Sequence, residues 1–183
     1  MDNEFTSCCF TGYRPNKFPF SLDGKSKQYK DFENALFSKI LELIDDRCLT
    51  FYSGMAMGFD IIAAENVLLC KKARKDAYIK LVCAIPFINQ TEAFTKEWKK
   101  RYQKVLAQAD EVILISDSYY KGCYTKRNEF MVNSCDYVMT WFDGKMGGTR
   151  STLLYAEGIG RHIINLNNDP FIEQFPQTEY IID

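Results

Sequence analysis

Four segments of the chain combine glycine with groups that suit an anion: Gly12-Tyr13-Arg14-Pro15, Ser53-Gly54-x-x-x-Gly58-x-Asp60, the stretch from Asp117 to Arg127 with Asn128 behind it, and Gly144 to Arg150 with its Gly147-Gly148-Thr149 turn. Glycine has no Cβ, so its backbone can approach a phosphate closely. The first N–H groups of a helix present unpaired donors and the positive end of the dipole. Arg14, Arg127 and Arg150 add guanidinium forks, which bind phosphate bidentately where lysine offers only a point charge. Asp60 and Glu65 stand in an otherwise apolar stretch and could orient ribose hydroxyls. A helix-dipole carboxylate for Asp60 and a buried, hydrogen-bonded Glu65 are the plainer alternatives. Tyr13, Tyr119 and Tyr120 could stack on a base or simply cover a rim. Taken singly, each glycine also fits a tight strand-to-helix turn and each arginine a surface ion pair. Taken together, the segments suit a phosphorylated small molecule.

Other chemistries find less support. Gly54 and Gly58 do not make Gly-x-Gly-x-x-Gly, and Gly24-Lys25-Ser26 has Pro19 where a Walker motif needs its first glycine. The seven cysteines include no Cys-x-x-Cys pair and the chain has one histidine, so no metal site is expected. Cys8, Cys9, Cys48, Cys70 and Cys83 lie in or beside apolar segments and read as reduced core thiols. His162 opens a strand-like run and reads as structural. No residue is assigned to catalysis.

The elements that must hold these segments alternate between short β-branched or aromatic runs and longer runs of helical period. That is the pattern of an α/β fold, a Rossmann-like three-layer sandwich with a mostly parallel, doubly wound sheet. Strands are expected at 6–11, 49–53, 79–85, 111–116, 136–143 and 162–166. Helices are expected at 28–45, 59–75, 91–109 and 125–134, with a last one entered from Gly144–Thr149 and ending near Gly158. The first helix shows Tyr29, Phe32, Leu36, Ile40, Leu43 and Ile44 on one stripe. Asn89 and Glu92 are the expected capping pair of the third. In such a sheet ligands bind beyond the carboxyl ends of the strands, where the glycine segments fall.

At 183 residues the chain suits one domain, 1–183, with 167–183 as a C-terminal tail packing on the body. Hydrophobic residues at 46% and charged residues at 26% exclude a largely disordered chain. With 23 Lys+Arg against 24 Asp+Glu the net charge is -1, so no global positive field exists to hold a polyanion. No apolar run approaches a membrane span and the Met1-Asp2-Asn3-Glu4 start is acidic where a signal peptide is basic, which predicts a cytoplasmic protein with no membrane partner.

Several blocks resemble a known family. Thr11-Gly12-Tyr13-Arg14-Pro15-Asn16-Lys17-Phe18, Ser53-Gly54-Met55-Ala56-Met57-Gly58-Phe59-Asp60-Ile61-Ile62-Ala63-Ala64-Glu65, Ile85-Pro86-Phe87, Arg127-Asn128-x-x-Met131-Val132 and Gly147-Gly148-Thr149 resemble, in order, the YpsA-like branch of the SLOG superfamily. The second block is also similar to the DNA-processing protein DprA, and the Gly-Gly-Thr turn to the LOG phosphoribohydrolases. The resemblance implies a Rossmann-like sheet with a pocket for a nucleotide-derived ligand such as ADP-ribose, an NAD-like molecule or a nucleoside phosphate. Two departures stand out. YpsA relatives usually read Gly-His-Arg-Pro where this chain has Tyr13. LOG enzymes place a glutamate three residues after the threonine, where this chain has Thr152; Glu157 lies eight residues beyond Thr149, about 12 Å along a helix. Hydrolysis would therefore have to recruit Asp60, Glu65 or Asp117. The first expectation is a binding or sensing module that needs no separate cofactor. An N-glycosidase of the LOG type comes second, and DprA-like DNA binding, disfavoured by the charge balance, third. Self-association into a homo-oligomer is left open.

Overall fold

Short runs rich in Val, Ile, Phe and Cys cannot satisfy their backbone alone and pair into a sheet, and the amphipathic segments between them fold over its faces. The structure is a computed structural model that describes residues 6–168. In chain order the elements are β1 (Thr6–Phe10), a 3-10 turn (Pro15–Lys17), α1 (Lys27–Asp45), β2 (Cys48–Ser53), α2 (Phe59–Ala73), β3 (Lys80–Ile85), α3 (Lys96–Leu106), β4 (Glu111–Leu114), α4 (Cys123–Asn133), β5 (Tyr137–Thr140), α5 (Gly148–Gly158), β6 (His162–Asn165) and a 3-10 turn (Leu166–Asn168).

The sheet has six strands in the order β4-β3-β2-β1-β5-β6, and every neighbouring pair is parallel. Right-handed crossovers from β1 out to β4 place α1, α2 and α3 on one face. The chain then returns across β1, and the crossovers to β5 and β6 place α4 and α5 on the other. The contacts α1 with α2, α2 with α3, and α4 with α5 agree with that layering. The direction of winding reverses between β1 and β5.

The expected stripe of α1 is buried throughout, and the helix starts where the Ser26 hydroxyl accepts from the Tyr29 amide. α2 buries most of its residues from Phe59 to Cys70 against the sheet. α3 starts later than its spacing predicts. Residues 87–94 form successive turns, with the Gln90, Glu92 and Phe94 amides each reaching the carbonyl three residues back. Thr95, rather than Asn89, is the N-cap and accepts from Trp98. β5 pairs only over Tyr137–Thr140, although Trp141, Phe142 and Asp143 continue inward and are buried.

An aromatic cluster underlies the carboxyl ends of β1 and β5. Phe18 packs 5.1 Å from Trp141, and Tyr13 lies edge-on to both Phe18 and Trp141. Leu166 and Asn167 are buried where the chain leaves β6. The expected packing of the tail beyond Asn168 lies outside the described residues. No described helix is long and apolar enough to cross a membrane.

Candidate functional site

At the point where the winding reverses, β1 and β5 part and their following loops diverge, leaving a crevice that backbone cannot fill. A cavity of about 420 Å³ occupies it. The segment after β1 contributes Thr11, Gly12, Tyr13, Arg14, Asn16 and Lys17, the entry to α2 contributes Ala56 and Asp60, α4 contributes Tyr124, Arg127 and Asn128, and α5 contributes Gly148 and Thr149.

Its floor is charged. Arg127 is 4% exposed and donates from Nη1 to the Gly54 carbonyl and from Nε to Asn128 Oδ1 at 2.7 Å. Asp60, 5% exposed, accepts from the Ala56 amide through Oδ2 at 3.4 Å. Burial pushes the Asp60 carboxyl up to about 6, against the opposing pull of Arg127, the Ala56 amide and Arg14. Burial likewise pulls Arg127 below its ordinary value, with Asp60 acting against that. Arg14 is exposed at the rim, and its guanidinium lies 5.5 Å from the centre of the Tyr124 ring.

The glycines of the loop between β2 and α2 serve the chain itself. A Cβ on Gly54 would stand 2.1 Å from Arg127 Nη1, and one on Gly58 would stand 2.4 Å from the Tyr13 carbonyl, at a φ of +93°. Ser53, fully buried, donates from Oγ to the Asp60 carbonyl at 2.8 Å and accepts from the Met55 amide. The Phe59 amide donates to the Tyr13 carbonyl at 3.1 Å. The Met55, Ala56 and Phe59 amides of this segment are thus taken by neighbouring oxygens, which leaves it fewer donors for an anion than its glycines suggest. Gly12 also permits close packing, since a Cβ there would lie 2.4 Å from the Phe59 ring.

The start of α5 differs. Gly147, at φ +143°, turns the chain into the helix without a side-chain cap, and the Gly148 and Thr149 amides have no hydrogen-bond partner among the described residues. A Cβ on Gly148 would meet nothing within 4 Å. Asn128 holds this helix end in place by donating to Thr152 Oγ1 at 2.9 Å, while Thr152 donates to the Gly148 carbonyl. The threonine at the LOG glutamate position is thus part of the scaffold. The loop is also tied to the segment after β1. The Tyr13 hydroxyl donates to Asp143 at 2.6 Å, Lys17 Nζ to the Met146 carbonyl at 3.0 Å, and Lys145 Nζ pairs with Asp143 at 2.7 Å. Burial raises the Asp143 carboxyl, but Lys145 and Tyr13 together bring it below its ordinary value.

Several expected site residues are covered or lie elsewhere. Tyr13 lines the cavity, but its ring is only 2% exposed and packs in the aromatic cluster, which leaves little of its face for a base. Glu65 faces α3, where its carboxylate accepts from Arg101 Nε at 2.9 Å and Nη2 at 2.5 Å. Arg150 does not line the cavity: at about 100° per residue it projects roughly 200° around α5 from Gly148. Asp117, Tyr119, Tyr120 and Glu157 are exposed and do not line it either. His162 begins β6, level with Tyr137 at the start of β5, and so lies at the amino ends of the strands rather than at the carboxyl ends. Burial pushes the Cys48, Cys70 and Cys83 thiols up to about 12, which leaves no reactive thiolate there.

Tyr124, Asn16, Lys17, Thr11 and Ala56 line the cavity without having been singled out for it. Tyr124 had a usable signal. Once α4 is known to begin at Cys123, Tyr124, Arg127 and Asn128 fall at i, i+3 and i+4 on one face.

An all-parallel, doubly wound sheet with a charged cavity at its switch point defines a Rossmann-like α/β protein. Residues 8–158 match the family model YpsA, described as the YspA SLOG family, and the chain belongs to that family. Among its relatives, the SPbeta prophage-derived protein YoqJ of Bacillus subtilis (strain 168) is 29% identical over 152 residues, covering 75% of this chain and 88% of YoqJ. The UPF0398 protein YpsA of the same strain is 23% identical over 147 residues, with 79% of each chain covered. Two solved structures share the fold at 19% identity. DNA processing protein A from Streptococcus pneumoniae has a TM-score of 0.59, with 88% of this chain and 50% of that one covered. The Helicobacter pylori protein, solved to describe its single-stranded DNA binding mode, has a TM-score of 0.60, with 86% and 63% covered. This chain therefore spans between half and two thirds of each.

Proposed function

We propose that this chain is a cytoplasmic protein that binds a nucleotide-derived small molecule in the switch-point cavity, with recognition rather than turnover as its task. The observation that carries the reading is convergence: buried Arg127, rim Arg14, and Gly148 and Thr149, whose amides are unpaired among the described residues, line one space of about 420 Å³. That combination suits a phosphate, because it offers a fixed fork, an exposed cation and the positive end of a helix together. ADP-ribose, an NAD-like molecule and a nucleoside phosphate all carry that group, and none requires a separate cofactor.

The N-glycosidase alternative rests on Asp60. It is the one carboxylate among the described lining residues, and its value of about 6 suits a proton donor or acceptor near neutral pH. The scaffold role of Thr152 counts against turnover. A DNA strand offers the same pairing of phosphate and base, and DNA binding by the Helicobacter pylori protein raises that reading here, although a net charge of -1 opposes a long polyanion.

The test is a thermal-shift titration with AMP, ADP-ribose, NAD and an oligothymidylate, followed by assay of each nucleotide for base release. A ligand at 100 times its Kd adds about 2.7 kcal/mol of stability, a shift of several degrees. Arg14→Ala is expected to weaken that response about tenfold while leaving the unliganded melting point in place, because Arg14 is exposed. An unchanged response removes the rim arginine and, with it, this reading. Base release abolished by Asp60→Asn favours the enzyme, and a response confined to the oligonucleotide and lost steeply with salt favours DNA.

A further inference from the structure

The seam between α4 and α5 holds a second cavity of about 230 Å³ that adjoins the first. Tyr124, Asn128 and Gly148 line both and form a shared wall. The two compartments differ in charge. Arg14, Lys17 and Arg127 outnumber Asp60 in the larger one, whereas Glu129 is the only charged group among the described residues lining the smaller, beside the hydroxyls of Thr125, Ser151 and Thr152. Thr152 is held by Asn128 and the Gly148 carbonyl, and the Tyr155 hydroxyl donates to Asn133 Oδ1 at 2.9 Å. The Glu129 carboxylate, half-buried, has no hydrogen bond or ion pair among the described residues.

A carboxylate in that position repels a second phosphate and accepts from a neutral donor such as a sugar hydroxyl or an exocyclic amine. The tyrosine rings at the wall suit a flat heterocycle. The two volumes together lie within the roughly 300–1,000 Å³ of small-molecule sites. We propose that the cavity between α4 and α5 receives the uncharged nucleoside end of a ligand whose single phosphate sits in the larger cavity, which makes the ligand class a nucleoside monophosphate. This rests on the anion reading above and adds a polarity to it: cationic compartment for the phosphate, acidic compartment for the sugar and base.

Calorimetric titration with inorganic phosphate, adenosine, AMP and ADP-ribose tests it on the wild type, Glu129→Gln and Ser151→Trp. Ser151 is exposed on α5, so a large side chain there fills the smaller cavity without entering the core. AMP is expected to bind about tenfold or more tightly than phosphate, Glu129→Gln to remove roughly that factor, and Ser151→Trp to reduce AMP to the affinity of phosphate. Phosphate affinity stays unchanged in both variants. Equal affinity for AMP and phosphate in the wild type, or an AMP preference that survives both substitutions, overturns the second compartment. If phosphate binding is then still lost in Arg14→Ala, the anion site stands alone. Adenosine binding that depends on Glu129 without any phosphate binding supports the second compartment and ends the anion reading. Failure of every probe ends both.

Discussion

The loops that enter α2 and α5 share a design and differ in what they leave open. Each helix begins after a glycine at positive φ, Gly58 at +93° and Gly147 at +143°, with no side-chain cap. At α2 the chain occupies much of the approach itself: the Tyr13 carbonyl takes the Phe59 amide, and in the loop before the helix Asp60 takes Ala56 and Ser53 takes Met55. At α5 the Gly148 and Thr149 amides remain unpaired among the described residues, and both residues line the cavity. Glycine near a helix start therefore has two distinct physical uses. In one the missing Cβ admits another part of the same chain, and in the other it leaves room for something else.

Substitution at the closed loop should produce the largest effect. Gly58→Ala places a methyl 2.4 Å from the Tyr13 carbonyl in a backbone region that L-residues avoid, and is expected to cost about 3 kcal/mol or more by urea unfolding. A loss below about 0.5 kcal/mol would mean that this loop is not held as tightly as its contacts imply.

Asp60 tests the electrostatics of the same loop. Its folded value of about 6 lies above the ordinary 3.8, so the native state binds the proton more tightly than the unfolded chain. Its contribution to stability is then greatest below pH 4 and declines as pH rises to about 6, by up to about 3 kcal/mol. Asp60→Asn should remove that decline. Asp143, held below its ordinary value, contributes in the opposite sense, with stability lost as pH falls through its folded value. Urea unfolding from about pH 4 to 8 on both proteins checks the point, and parallel profiles would remove Asp60 as the titrating group.

Tyr13→Phe probes the tie between the segment after β1 and the loop before α5. It removes the 2.6 Å donor to Asp143 while Lys145 remains, for an expected cost of about 1–2 kcal/mol. A neutral result would show that the aromatic packing alone positions this segment.

The smallest change in stability is expected at the open loop. Gly148→Ala meets no atom within 4 Å and should alter unfolding by less than about 1 kcal/mol, in the stabilising direction. The same methyl stands at the cavity wall, so AMP binding should fall even though the fold does not. Full retention of binding would remove the α5 amides from the site and erase the functional half of the comparison.

Much of the scaffold was legible along the chain because the signals are local. The stripe of α1, the apolar depth of α2 and the glycine turns after the strands each follow from residues within a few positions of one another. The start of α3 is less legible, because Asn89 and Glu92 have capping spacing while Thr95 supplies the oxygen that is used. Within the site, Gly12, Tyr13, Arg14, Asp60, Arg127, Asn128, Gly148 and Thr149 do come together. Tyr124 is not legible as a site residue from the sequence, because α4 begins two residues earlier than its sequence pattern suggests.

What the order of residues determined by itself is the alternation of elements, and with it a doubly wound sheet whose glycine turns gather at one edge. Tertiary structure alone decided which turn is open. Arg127 reaches the Gly54 carbonyl across 73 positions, Tyr13 reaches Asp143 across 130, and Glu65 is drawn to Arg101 rather than to the cavity. Periodicity and turn chemistry are settled by near neighbours, whereas a donor's occupancy depends on which distant oxygen the packed sheet brings within about 3 Å of it.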